Sequence, residues 1–88
     1  MKKLYVIVSS KLSKSQQAVQ SAHAVAQFCI DFPDSDWDNH TLVLLKTRSL
    51  TPFLAMAHSL FREPYFSGKI TALAHYGPGD NFQHLRMV

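Results

Sequence analysis

The chain has 88 residues, of which 47% are hydrophobic, and nine Lys and Arg against six Asp and Glu give it a net charge of +3 at pH 7. This length suits one small domain spanning residues 1–88, and the hydrophobic content is too high for a disordered chain. The basic excess favours an anionic partner without identifying one. Because a chain this small has a limited core, we expect a homodimer.

The N-terminus resembles the beginning of a signal peptide, since two lysines precede an apolar run. That run ends at Val8, where Ser9 and Ser10 follow, so it is too short for export. No stretch reaches the roughly 20 apolar residues of a membrane helix. The single cysteine, Cys29, cannot form an internal disulfide. We therefore expect a soluble, cytoplasmic protein.

The chain begins with a predicted strand and a predicted helix. Lys3–Ser9 is nearly all apolar and rich in β-branched residues, which is typical of a strand covered on both faces. Leu12–Asp31 follows as an amphipathic helix, with Ser13 as its N-cap and Gln16 three residues later in a capping-box pattern. Small apolar residues gather on the side that we expect to face the sheet: Ala18, Ala22, Val25, Ala26 and Cys29.

A neighbouring side of this helix carries polar residues at helical spacing, namely Gln16, Gln20, His23 and Gln27. A side that only had to be soluble would normally use Glu and Lys, because these are good helix formers that pair four residues apart. Amides and an imidazole offer hydrogen bonds without a full charge. His23 therefore has two interpretations: a histidine satisfied at the edge of the core, or a functional group that faces a cleft.

The remaining elements alternate between strands and helices. We expect strands at His40–Lys46, Ser59–Arg62 and Lys69–Tyr76, and helices at about Pro52–Ser59 and Asp80–Leu85. Thr51 is the expected N-cap of the first of these helices, because a proline follows it at the first helical position. This order predicts a three-layer α/β fold. Leu4–Val8 and Leu42–Leu45 should lie at the centre of its sheet, because both runs are apolar on both faces.

The sequence resembles the peptidyl-tRNA hydrolase 2 family, whose members cleave the ester between a peptide and the terminal ribose of tRNA. On the first helix the pattern K-x3-A-x-Q-x2-H-A is formed by Lys14, Ala18, Gln20, His23 and Ala24. Trp37 with Thr41–Lys46, then Phe61–Ala74, then Gly77-Pro78 are similar to later segments of the family in the same order. The resemblance implies a Pth2-like α/β/α sandwich with a four-stranded mixed sheet.

Hydrolysis of this ester needs a group that orients water, a donor for the oxyanion, and cations for the phosphates of the acceptor stem. On the resemblance the catalytic residues are His23, Lys14, Glu63 and Ser67, the last two lying near an Asp and a Thr of the family. The expected contacts with tRNA are Lys11, Lys14, Lys46 and Arg48. No glycine-rich phosphate loop, CxxC pair or HxxxH pair occurs, so we expect no cofactor and no metal.

Two departures from the family pattern leave the activity open. Gln16 stands where the family usually has a second lysine, and the segment Glu63–Ser67 replaces an Asp-Ala-Gly-x-Thr type sequence. A lost cation removes a potential oxyanion donor, and such donors contribute roughly 3–4 kcal/mol in known enzymes. The sequence thus supports either a divergent peptidyl-tRNA or aminoacyl-tRNA hydrolase, or a non-catalytic domain of the same fold that binds RNA or a protein partner.

Overall fold

A computed structural model describes residues 2–88, which form one mixed sheet of five strands and one α-helix. The strands are β1 (Lys3–Ser9), β2 (Leu42–Thr47), β3 (Ser59–Glu63), β4 (Lys69–Gly77) and β5 (Arg86–Met87), and helix α1 is Lys14–Asp31. The strand order is β3-β4-β1-β2-β5, in which β1 is parallel to β2 and antiparallel to β4. The predicted α/β class is confirmed, whereas the described sheet has five strands rather than four.

Strand β1 lies at the centre of the sheet because its side chains are apolar on both faces. Leu4, Val6, Ile7 and Val8 are all fully buried. Val6 lies opposite β2 on one side and opposite Ala74 of β4 on the other. The predicted central position of the Leu4–Val8 run is therefore confirmed.

Strand β2 is less central than its apolar sequence indicates. Leu45 is its one buried residue, and Leu42 is 41% exposed. Strand β5 pairs only with Leu45 and Lys46, so within residues 2–88 most of the outer edge of β2 has no strand beside it. The prediction that Leu42–Leu45 is covered on both faces is wrong, because α1 packs mainly on β1, β3 and β4 and leaves Leu42 exposed and Val43 and Leu44 only half-buried.

Helix α1 begins where the sequence pattern placed it. The Ser13 hydroxyl accepts a hydrogen bond from the backbone N–H of Gln16 at 3.2 Å, which satisfies one of the donors left free at a helix start. The helix then runs to Asp31, where the backbone N–H of Phe32 donates to the carbonyl of Phe28.

The face that α1 buries differs from the prediction. Its buried residues are Gln17, Gln20, Ser21, Ala24 and Phe28. Ala18, Ala22, Ala26 and Cys29, which were expected to face the sheet, are exposed. Phe28 explains the rotation, because burying its ring removes far more apolar surface from water than burying several alanines. The two buried glutamines share that face and are hydrogen-bonded there.

Short 3₁₀ helices at Thr51–Met56 and Asp80–Phe82 lie where two helices were predicted after β2, and a third lies at Pro64–Phe66. Phe53 and Phe82 pack on the face of the sheet opposite α1, against Ile7 and Leu73. The first of these helices is short because the backbone N–H of His58 already donates to β4. Thr51 does not act as its N-cap. Among residues 2–88, no helix has the length and apolar character needed to cross a membrane.

Candidate functional site

The strand directions bring the ends of β1, β2 and β3 and the starts of β4 and β5 to the same edge of the sheet. The strand ends, the loops and the helix start at this edge contain all the lysines and arginines that follow β1: Lys11, Lys14, Lys46, Arg48, Arg62, Lys69 and Arg86. We call this side of the molecule the basic edge. The four residues expected to contact tRNA all lie on it.

Most carboxylates lie at the opposite edge, where α1 and β4 end. They are Asp31, Asp34, Asp36, Asp38 and Asp80, and they share that edge with Lys2 and Lys3. Glu63 is the one acid at the basic edge. Although the net charge is only +3, the basic and acidic residues are therefore concentrated at opposite edges. A polyanion that approaches the basic edge meets a positive potential that few acidic residues reduce.

A cavity of about 410 Å³ opens at the basic edge beside the end of β1. Ser9, Lys11 and Leu12 line it from the connection between β1 and α1. Phe66, Ser67, Lys69 and Thr71 line it from the turn before β4 and from β4 itself. Two lysines, two serines and a threonine are thus among the lining residues and no described acid is, so a phosphate or a developing oxyanion would meet no negative side chain there.

A chain of buried hydrogen bonds lies behind this cavity. Gln20 Nε2 donates to Glu63 Oε1 at 2.9 Å, and Thr71 Oγ1 donates to Gln20 Oε1 at 2.5 Å. All three residues are buried. An ionised carboxylate can only accept, so the amide of Gln20 must present its NH₂ group to Glu63 and its oxygen to Thr71. The hydroxyl hydrogen of Thr71 is then committed to Gln20, which leaves the lone pairs of its oxygen available.

The Thr71 side chain reaches this position because β4 contains a bulge. Phe61 of β3 pairs with Ala72 and Arg62 pairs with Ile70, so Thr71 has no partner on β3. A bulge directs two consecutive side chains to one face of the sheet. Ala72 packs beneath α1, and Thr71 beside it bonds to Gln20 of that helix. Bulges of this kind are frequent next to active sites.

Glu63 is 8% exposed and is hydrogen-bonded by an amide rather than by a cation. Lys69 lies opposite it in the register of β3 and β4, yet no described basic side chain forms an ion pair with it. A buried carboxylate without a counter-charge costs stability, and the hydrogen bond from Gln20 offsets part of that cost.

The structure separates the residues that the resemblance assigned to catalysis. Ser67 lines the cavity, and its backbone is left-handed at φ 56°. Glu63 lies behind the cavity in the hydrogen-bond chain. Lys14 is exposed at the first position of α1 and does not line the cavity, and Lys46 and Arg48 line a second cavity beyond β2.

His23 fits neither of its two interpretations completely. It is exposed, and its ring stacks on Phe61 of β3 with centroids 4.5 Å apart and an interplanar angle of 5°. It is not among the residues that line the cavity. The pair of His23 and Phe61 lies next to the pair of Gln20 and Glu63 along the contact between α1 and β3, so His23 is one helical turn from the buried chain.

Sequence reasoning assigned no catalytic role to Gln20, Lys69 or Thr71, and considered Lys69 only as a contributor to basic surface. Gln20 was visible as part of the helical pattern, and only its burial shows that it bonds inward. Thr71 gave one weak signal, since Lys69–Tyr76 does not alternate cleanly between apolar and polar residues. The sequence matches no protein-family model and no curated protein.

Proposed function

We propose that the protein hydrolyses the ester between the acyl group and the terminal ribose of peptidyl-tRNA or aminoacyl-tRNA, as the resemblance to the peptidyl-tRNA hydrolase 2 family implies. The observation that carries the proposal is the buried chain from Glu63 through Gln20 to Thr71, which reaches a cavity lined by two lysines. The three-layer α/β/α sandwich of that family is part of the proposal, with short 3₁₀ helices forming the layer opposite α1.

Lys11 and Lys69 supply positive charge where the reaction develops negative charge. Attack on the ester carbonyl produces an oxyanion, and a cationic donor held in a cavity stabilises that charge more than it stabilises the neutral ester. The same ammonium groups can hold the last phosphate of the RNA. Lys14, Lys46 and Arg48 extend the positive surface along the basic edge, where a longer stretch of backbone would lie.

Thr71 is the residue that orients the attacking water in this proposal. Its hydroxyl hydrogen points to Gln20, so its oxygen accepts a hydrogen bond from a water molecule in the cavity. Positive charge develops on that water as it attacks, and its proton passes to the ribose oxygen as the bond between the acyl carbon and that oxygen breaks, which releases the acid and the free tRNA. The negative charge of Glu63, transmitted along the chain of hydrogen bonds, favours the positive charge on the water. Glu63 is therefore a positioning residue that does not touch the substrate.

The test is release of tRNA from N-acylated aminoacyl-tRNA by the purified protein. We expect turnover that falls by about 10²–10³-fold in Lys11→Ala, the usual cost of losing an oxyanion donor. Thr71→Val keeps the shape of the side chain, removes the hydroxyl, and should also lose turnover. Lys2→Ala is the matched control, because it removes the same charge from the opposite edge. A folded wild-type protein that releases no tRNA would refute the hydrolase.

A non-catalytic RNA-binding domain is the second candidate, and the extent of the basic edge favours it. A second cavity of about 520 Å³ lies beyond β2, and Lys46, Arg48, His84 and Arg86 are among the residues that line it. These cations do not line the first cavity, so they are suited to holding RNA and not to stabilising the oxyanion. RNA binding that depends on these cations, together with no turnover, would establish this candidate.

A further inference from the structure

Two aromatic side chains are exposed in the turn between β3 and β4. Tyr65 is 92% exposed, and the adjacent Phe66 is 36% exposed. Both belong to the 3₁₀ helix Pro64–Phe66. Two other phenylalanines nearby in the sequence have partners within the chain, Phe53 in the core and Phe61 against His23.

Backbone hydrogen bonds close the turn that carries both aromatic residues. The backbone N–H of Gly68 donates to the carbonyl of Glu63 at 3.0 Å, and that of Ser67 donates to the carbonyl of Pro64 at 3.2 Å. Ser67 and Gly68 are both left-handed, with φ of 56° and 75°. A serine adopts this conformation at some cost, which the closed turn must offset. Tyr65 therefore lies in a turn closed by backbone hydrogen bonds and not in an irregular loop.

Cations surround this turn. Phe66 lines the cavity together with Lys11 and Lys69, and Arg62 Nη1 donates to the carbonyl of Gly68 at 3.5 Å. Aromatic faces next to a basic groove are the combination that proteins use to bind single-stranded nucleic acid, since bases stack on the rings while cations hold the phosphates.

We propose that Tyr65 and Phe66 form a stacking platform for unpaired nucleobases at the 3′ end of an RNA whose phosphates lie along the basic edge. The identity of the RNA rests on the proposed function, because the ester of an acylated tRNA is carried by an unpaired 3′ terminus. The platform itself is independent of catalysis. The platform gives these two aromatic side chains a role beside the cavity. If a phosphate of the RNA lies in the cavity, the unpaired base attached to it is close enough to stack on them.

Equilibrium binding of two RNA hairpins that carry no acyl group tests the platform. One hairpin has a short single-stranded 3′ extension, and the other has the same extension with abasic nucleotides, which keep the phosphates and lack the bases. We expect Tyr65→Ala to weaken binding of the first by about 5- to 150-fold, the range for losing one stacked base, and to leave binding of the second unchanged. Tyr65→Phe keeps the ring and should bind both hairpins as the wild type does.

Ile30→Ala is the control, since Ile30 is 71% exposed on α1 near its acidic end and its loss should change neither affinity. Equal weakening of both hairpins by Tyr65→Ala would overturn the platform while leaving RNA binding intact. A wild-type dimer that Tyr65→Ala dissociates in sedimentation would assign the turn to a subunit interface and overturn the platform too. Failure of the wild type to bind either hairpin would overturn the platform, whereas the hydrolase is refuted separately, by the absence of tRNA release.

Discussion

The side-chain amide of Gln20 donates a 2.9 Å hydrogen bond to the carboxylate of Glu63, joining the middle of α1 to the end of β3 inside the protein. Gln20 is fully buried, and its carbonyl oxygen accepts the hydroxyl of Thr71 from a third element, β4. The fold thus places the carboxylate of Glu63 behind a cavity that Lys11 and Lys69 line, and no ion pair forms between Glu63 and either lysine.

Replacement of Glu63 by glutamine separates the charge of this group from its hydrogen bond. In Glu63→Gln the new side-chain oxygen can still accept from Gln20, so the geometry is kept and the negative charge is lost. We expect turnover of peptidyl-tRNA to fall by about 5- to 30-fold, the difference between a charged and a neutral hydrogen bond. The free energy of unfolding should stay unchanged or rise, because a buried charge has been removed.

Glu63→Ala provides the comparison, because it leaves the amide of Gln20 without its acceptor in a buried position. We expect it to lower the free energy of unfolding by about 1–3 kcal/mol in urea titrations. If Glu63→Gln is as destabilised as Glu63→Ala and retains full turnover, the carboxylate is structural and the catalytic arrangement proposed for this chain is wrong.

The position of the site depends on features that local sequence patterns do not record. The start of α1 was predictable because Ser13 and Gln16 form a local capping pattern. The face that α1 buries was not predictable from the apolar pattern. Four of the small apolar residues are exposed, and a count of apolar positions gives them more weight than Phe28, although Phe28 buries the larger apolar area. That rotation is what takes Gln20 from a solvent-facing strip into the core.

Thr71 illustrates the same limit for strands. A regular alternation would turn its side chain away from α1, because Ala72 already faces the helix. The bulge opposite Phe61 and Arg62 reverses this direction, and it arises from the pairing of two strands that neither strand encodes alone. The central position of β1 was predictable for the opposite reason, since its fully apolar run leaves no solvent-facing side.

The stack of His23 on Phe61 predicts that His23 acts through the packing of its ring and not through transfer of a proton in catalysis. His23→Ala should lower stability by about 0.5 kcal/mol, the low end for an aromatic pair, because the ring is exposed. His23→Phe should restore that stability and retain hydrolysis. Thermal unfolding and tRNA release measured on both variants decide the matter. If both variants lose hydrolysis by about 10²-fold or more while His23→Phe stays fully stable, His23 is a general acid or base.

The separation of charge between the two edges predicts how RNA binding responds to salt. Affinity for an RNA hairpin should fall as salt rises, with a logarithmic slope that reports the number of phosphates neutralised. Lys11→Ala should make that slope shallower by about one. Lys2→Ala removes the same charge from the opposite edge, where Lys2 lies over the ring of Tyr76 at 5.4 Å, and should leave the slope unchanged. Equal effects of the two variants would mean that RNA does not prefer the basic edge.

His58 makes the stability of the fold depend on pH, at the edge opposite the cavity. Packing against its neighbours lowers the pKa of His58 below the usual 6.5, and the charges of His75 and Lys2 lower it further. The ring of His75 is 4.9 Å away, and Nδ1 of His58 accepts the backbone N–H of Tyr76 at 3.0 Å. Because the unfolded chain takes up the proton more readily, this stabilisation is complete above pH 6.5 and is lost as the pH falls through the lowered value.

Thermal unfolding between about pH 8 and pH 5 measures this effect, in the range where histidine titrates. The melting temperature of the wild type should fall as the solution becomes acidic. His58→Asn offers an amide oxygen to the N–H of Tyr76 in place of Nδ1 and cannot take up the proton, so its melting temperature should fall less. His84→Asn is the control, because His84 lies at the basic edge, and it should keep the dependence of the wild type. If His58→Asn loses stability with acid as steeply as the wild type, the pH dependence originates in another group.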